Sequence, residues 1–330
     1  MMTQSRILPL LPVLLVGLVA CHSGNTMDTL VAQSDLTASI LAIYERIFWW
    51  TVLLFIGVQG GLIYIVMRFR ARGDETTLPE QVHGNSQLEI TWTVLPVVIL
   101  LHIAIPTVQF IFKSQDTPSP DALKVNAIGK QWWFAFEYPA EGVVTANELH
   151  VPLGRQVNIR LQSDNVIHSL WAPQIFAKRD MVPGRVNQIT FKATKAGEYL
   201  GQCAEYCGDS HALMQFRVYV DTPEDFAKWV ANQNSPAVAE AVPAGSEIVK
   251  AKCGSCHTVK GVTEVANIGP NLTHVGSRTT IAAGILLNNT ENLKKWIANP
   301  AGVKPGSKMI QVGLTPQELD SVVSYLQTLK

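Results

Sequence analysis

The chain of 330 residues carries 26 basic and 26 acidic side chains, so its formal net charge is zero; 16% of its residues are charged and its mean hydropathy is +0.16. That length suggests two domains and a remainder, and the absence of a global basic field or a run of like charges argues against nucleic acid as a partner. Positive hydropathy with so little charge is unusual for a soluble protein, and the apolar residues are concentrated before residue 113.

The first apolar block, Ile7 to Ala20, follows Arg6 and is 14 residues long. It is too short for a span, which needs about 20 residues, and its basic start and small-residue end describe a signal segment, residues 1–20. Its ending, Leu18-Val19-Ala20-Cys21, resembles a bacterial lipobox, which implies an acylated Cys21; in an ordinary signal the cysteine would be incidental. Blocks two and three, 47–67 and 90–112, contain 21 and 23 residues without a charge. Each is long enough to cross the hydrocarbon core as a helix, which makes residues 21–113 an N-terminal segment with a two-helix transmembrane hairpin. Arg68, Arg70 and Arg72 lie between the spans, so the positive-inside rule places the hairpin in the cytoplasm and everything after residue 113 on the outer face. Trp49, Trp50 and Trp92 sit near span ends, where interfacial aromatics collect. His102, between Pro96 and Pro106, is either a functional intramembrane group or, as is commoner, a partner for a neighbouring helix carbonyl.

Beyond the spans, residues 122–222 show short apolar alternation, as at Val157, Ile159 and Leu161 or Phe216, Val218 and Val220. This pattern predicts an all-β sandwich or barrel. Residues 223–244 are expected to be a linker, because 231–244 are rich in Ala, Pro and small polar residues without periodicity. Residues 245–330 read as helix and loop, ending in a helix from Pro316 through Leu319, Val322, Val323 and Leu326.

Apart from Cys21 the cysteines form two pairs, and paired cysteines in an exported chain are ordinarily disulfides. Their neighbours point elsewhere. Cys253-Gly254-Ser255-Cys256-His257 is C-x-x-C-H, the attachment signal for c-type haem: two thiols for the vinyl groups and an imidazole for the iron. Cys203 and Cys207 are followed by His211 and Met214, with Glu205 between them and His168 upstream. Thiolate, thioether and imidazole together select copper. With two cysteines, the thiolates can bridge two coppers, each completed by one histidine and one weak ligand, and Val166-Ile167-His168 supplies the second histidine.

These motifs carry two resemblances. Gly269-Pro270-Asn271-Leu272 and Lys304-Pro305-Gly306-Ser307-Lys308-Met309, after the C-x-x-C-H, are similar to class I cytochromes c, which implies Met309 as the second axial iron ligand; Ile310 stands where many relatives have proline. The V-x-H and C-x3-C-x3-H-x2-M spacing resembles the dinuclear CuA centre of cytochrome oxidase subunit II, as do Leu88-Glu89-Ile90-Thr91-Trp92-Thr93 and Pro183-Gly184-Arg185. That resemblance implies a cupredoxin-like fold, bridging Cys203 and Cys207, ligating His168 and His211, and Met214 and the Glu205 carbonyl as weak ligands. It also implies a Mg2+ reached by the Glu205 side chain and shared with the catalytic subunit. Gly129-Lys130-Gln131-Trp132-Trp133 is similar to the family's aromatic stretch, which makes Trp132 the residue where electrons reach copper; otherwise it is a packed aromatic. Lys130 stands where the family has His.

Together the resemblances imply a caa-type subunit II of the bacterial cytoplasmic membrane, an oxidoreductase and proton-translocating assembly in which this chain does no oxygen chemistry. Its partners would be the haem-copper catalytic subunit I, further oxidase subunits, and an upstream cytochrome or bc complex as donor. The alternatives are a CuA subunit of a nitric oxide or nitrous oxide reductase and a non-enzymatic membrane-anchored carrier. Residues 245–330 hold nine basic and five acidic side chains, so lysines here are expected to meet acidic groups on the copper domain or on a reductase.

Overall fold

The computed structural model describes residues 27–70, 73, 80–81, 83–115, 117–237, 243–263, 266 and 268–330. The expected signal segment, Cys21 and Arg72 lie outside the described residues. Helix α1, Asp35–Phe69, begins well before the apolar block. Ser34 sets its start: the Ser34 hydroxyl accepts from Thr37 N and the Thr37 hydroxyl accepts from Ser34 N, a capping box, with Asp35 in the first turn. The same cap fixes the helix to the β-rich domain, since Ser34 Oγ donates to Ile175 O (2.6 Å), Thr37 Oγ1 to Gln174 O (3.0 Å) and Lys192 N to Asp35 Oδ1 (2.7 Å).

Helix α2, Ser86–Lys113, is capped by Asn85, contains Pro96 and Pro106, and packs against α1, where the His102 ring meets Trp50 edge-on at 5.8 Å. Both helices are long and apolar enough to cross a membrane. Phe55, Ile56, Ile63 and Leu100 are each more than half exposed, and so continuous an apolar surface is suited to lipid rather than water.

Ten strands build two five-stranded sheets, in the orders β3-β2-β1-β5-β8 and β4-β10-β9-β6-β7. They are β1 Leu123–Lys130, β2 Trp133–Tyr138, β3 Val143–Ala146, β4 Glu148–Pro152, β5 Gln156–Ser163, β6 His168–Ala172, β7 Phe176–Met181, β8 Asn187–Lys192, β9 Gly197–Cys203 and β10 Gln215–Asp221. β1 pairs with β5, and β4 with β10, in parallel; the other ladders are antiparallel. Alternating burial, as in β10, turns one face of each sheet inward. Phe134, Phe136, Phe176 and Phe216 fill the shared core, with Phe216 edge-on to Phe134 at 5.2 Å.

The expected linker is corrected. Residues Pro223–Asn234 form helix α3, with Thr222 as cap, Pro223 in its first turn and Glu224 and Asp225 at its positive end. Phe226 is buried, and Trp229 stacks on His150 at 4.3 Å. A three-residue stripe, Phe226, Trp229 and Val230, docks the helix, too brief a signal to stand out beside the Ala- and Pro-rich stretch after it. The C-terminal domain opens with helix α4, Pro243–Lys252, and continues through the short β11 Thr280–Ile281 and β12 Leu286–Leu287 to α5 Thr290–Ala298, α6 Pro300–Val303 and α7 Pro316–Thr328. Val249, Val322, Val323, Tyr325 and Leu326 form the seam between α4 and α7 at the centre of its core.

Candidate copper and haem sites

One end of the second sheet gathers the thiols and imidazoles. Cys203 closes β9, His168 opens β6, and Leu170 pairs with Cys203 across the ladder. The chain then turns through residues 204–214 and re-enters the sheet as β10, held by Ala204 N to Ser169 O (3.2 Å) and Cys203 N to Met214 O (2.8 Å). A short 3-10 turn, His211–Leu213, aims His211 back at the cysteines. The sulfurs of Cys203 and Cys207 are 3.8 Å apart, far beyond the bond length of about 2.05 Å in a disulfide, and all four described cysteines are free thiols.

Nδ1 of His168 is 3.9 Å from the Cys203 sulfur and Nδ1 of His211 is 3.6 Å from that of Cys207. Met214 Sδ stands 3.9 Å from Cys207 and the Glu205 carbonyl oxygen 3.3 Å from Cys203. Six groups thus surround a space between two buried sulfurs. His168 is oriented from behind, with Asn165 Oδ1 2.9 Å from its Nε2, the outer contact that fixes a metal-binding imidazole. Gly129 makes room for the ring, since a Cβ there would lie 2.8 Å from His168 Cδ2. The Cys203 thiol is held well below the usual thiol range, chiefly by the Cys207 thiol hydrogen bond, and Cys207 is pushed up by the same pairing and by burial. The donor set fits copper.

In the C-terminal domain, Cys253 directly follows helix α4 and Cys256 and His257 come next, each donating its backbone N–H to Cys253 O. His257 Nδ1 donates to Pro270 O (2.8 Å), which leaves Nε2 as the free ligand atom, and Gly269 N bonds Cys256 O (2.8 Å). Burial pushes the His257 pKa down, opposed by the bond to Pro270 O. Cys253, Cys256, His257 and Met309 line one cavity of about 420 Å³ whose walls include Leu293, Trp296 and Leu326. Two free thiols, an oriented imidazole, a thioether and apolar walls fit a covalent haem.

That cavity is also lined by Trp132 of the β-rich domain. Trp132 is buried, and its Nε1 donates to Cys207 O (2.9 Å), as does Gln131 Nε2 (2.9 Å). One indole therefore touches the copper loop and the wall of the haem cavity.

Residues 10–110 match the transmembrane domain of cytochrome c oxidase subunit II, 140–220 its periplasmic domain, and 242–330 cytochrome c. Cytochrome c oxidase subunit 2 of Alkalihalophilus pseudofirmus is 33% identical over 99% of this chain and 98% of its own. Its counterpart in Bacillus subtilis is 38% identical, covering 81% of this chain and 82% of its own. The chain belongs to the cytochrome c oxidase subunit II family. A solved periplasmic domain of the Bradyrhizobium japonicum subunit is 32% identical, with a TM-score of 0.34, covering 36% of this chain and 96% of that one.

As a member of that family, the chain is a membrane-embedded subunit of a cytochrome c oxidase, with a cupredoxin-like copper domain and a cytochrome c domain. Several residues that matter here gave no sign of their role in the sequence, Lys304 among them although it begins the stretch that leads to Met309. The buried Lys304 Nζ donates to Trp132 O and, at 3.5 Å, to Ala282 O, and burial pushes its pKa down to about 7 against the attraction of Cys207. Asn165 and Glu148 likewise had no signal beyond their position. The expectation that cytochrome lysines meet acidic groups on the copper domain is corrected for three of them: among the described residues, Lys252 pairs with Glu318 and Lys294 with Asp320, inside their own domain, and Lys304 meets carbonyls. Lys130 is ion-paired with Asp164 and lies 5.7 Å over the Trp133 ring. The Glu205 carboxylate accepts from Lys178 at 2.8 Å, an exposed pair that Asp180 extends.

Proposed function

We propose that this chain carries electrons from a haem c held by Cys253, Cys256, His257 and Met309, by way of Trp132, to a dinuclear CuA centre held by Cys203, Cys207, His168, His211, Met214 and the Glu205 carbonyl. From there they leave for the catalytic subunit I, where oxygen is reduced and protons are moved. The observation that carries this reading is Trp132, whose ring lines the haem cavity while its Nε1 bonds the carbonyl of a copper-ligand cysteine.

Haem and copper supply reversible one-electron chemistry when bound; the side chains supply rigidity and selectivity. His257 and Met309 would both hold the iron, a ligand pair that suits electron transfer rather than oxygen binding. Paired thiolates share charge between two metals, and the β6–β9–β10 ladder holds them against movement. Pro270 O and Asn165 fix the two proximal imidazoles. The Glu205 carboxylate, now on Lys178, is the side chain that would turn to a Mg2+ shared with the catalytic subunit. The arginine-bearing hairpin faces the cytoplasm of a bacterial inner membrane, both redox domains face outward, Cys21 carries lipid, and a cytochrome or bc complex reduces the haem.

Optical and paramagnetic spectra of the full chain test this. Cys207→Ser should abolish a mixed-valence copper signal and leave the low-spin haem c band, and Cys253→Ser should damage the haem and leave the copper. Haem without any copper signal in the unaltered chain would reduce the reading to a membrane cytochrome.

A further inference from the structure

The two redox domains meet through a built interface. Lys304 is 4% exposed, and two of its donors go to Trp132 O in one domain and Ala282 O in the other. A lysine is rarely taken out of water unless its donors are matched. The segment that receives it is strained: Ala282 and Ala283 both have positive φ, 54° and 62°, a conformation that L-residues avoid. That turn aims Ala282 O at Lys304, while Ala283 O accepts from Gln215 N at 3.0 Å, at the start of β10.

The next residues close the contact. Ser210 Oγ donates to Pro305 O, and Gly306, at φ 72°, lies so near that a Cβ would sit 2.9 Å from Trp132 Cη2 and 2.8 Å from Asp209 Oδ2. Lys308 places its ammonium 5.6 Å from the centre of the Trp132 ring. On the other rim, Glu148 Oε1 accepts from Thr279 N (2.9 Å), Thr279 Oγ1 (3.0 Å) and Thr280 N (3.3 Å).

We infer that Lys304 is a positioning residue that clamps the cytochrome domain over Trp132, so that haem cavity and copper loop hold one fixed geometry instead of meeting by tethered diffusion. The inference rests on the electron route proposed above. Lys304 touches neither set of ligands; it acts by fixing the Trp132 backbone to the loop that leads to Met309.

Two readouts on the intact oxidase complex test it. The first needs no variant: acetylate surface amines briefly and measure each lysine by peptide mass spectrometry. Lys295 and Lys308, both exposed, should react and Lys304 should not; Lys304 reacting as fast as Lys308 overturns the clamp. The second is Lys304→Met. After rapid photoreduction of the haem, electron arrival at copper should slow severalfold, with both resting spectra unchanged. An unchanged rate overturns the proposal, because a merely structural lysine would alter stability and leave the interdomain rate alone. Missing haem or copper spectra in the unaltered chain would instead sink the electron route itself.

Discussion

Trp132 is the residue on which the chemistry converges. Trp132→Phe keeps a flat ring but loses the Nε1 bond to Cys207 O, which Gln131 still satisfies in part. A single neutral hydrogen bond contributes about 1 kcal/mol, so thermal unfolding should barely move while haem-to-copper transfer slows; a large loss of stability with no change in rate would make Trp132 a packing residue only. The proposed metal and haem side chains were legible in the chain because their spacing is local: five of the six proposed copper donors, Glu205 among them, lie within residues 203–214, and the proposed haem set starts with five consecutive residues. His168 was legible as the missing second imidazole. Lys304 was not, because a buried lysine and a surface lysine read alike until the opposing carbonyls are known.

Elements were legible where periodicity ran long. The strands around Ile159 and Val218 alternate over several residues, and the last helix shows its stripe plainly. Helix α3 failed that test with only three large apolar side chains, yet Trp229 lies against Tyr138 at 5.2 Å and on His150 at 4.3 Å. Trp229→Ala should destabilise the copper domain by about 3 kcal/mol, the low end for a large aromatic because the ring is half-buried; loss of less than about 0.5 kcal/mol in chemical denaturation would return this segment to linker status. Helix α7 offers a pH test. Its Thr315 N donates to Glu318 Oε2 at 2.8 Å, and that bond, then Lys252, lowers the Glu318 pKa below its usual value. A carboxylate depressed in the folded state lends stability above its unfolded pKa and loses it as pH falls through the folded value. The cytochrome domain should therefore weaken below about pH 4.5, and Glu318→Gln should flatten that part of the profile. An identical acid limb in Glu318→Gln would remove Glu318 from the account.

Over the whole molecule, the zero net charge and positive hydropathy of the sequence conceal three environments. Two apolar helices meet lipid, a β-sandwich carries copper donors at one end, and a helical domain closes over Trp132. The capping box at Ser34 ties the sandwich to the N-terminal end of α1, which projects beyond the apolar block, so the sandwich stands at a set distance from the span. A flexible tether alone would raise the donor's effective concentration to about the millimolar range; the interface of Lys304, Glu148 and Gly306 goes further by fixing orientation. This was illegible in the sequence because contacts between distant segments leave no periodic trace.

The most direct test of the central claim is single-electron photoreduction of the haem in the purified oxidase, following haem oxidation and the near-infrared copper band together. The account predicts that the haem loses its electron and copper gains it at one common rate, unaffected by protein concentration or by ionic strength. A haem that stays reduced while copper is filled directly by an external donor, or a rate that rises with protein concentration, would contradict it.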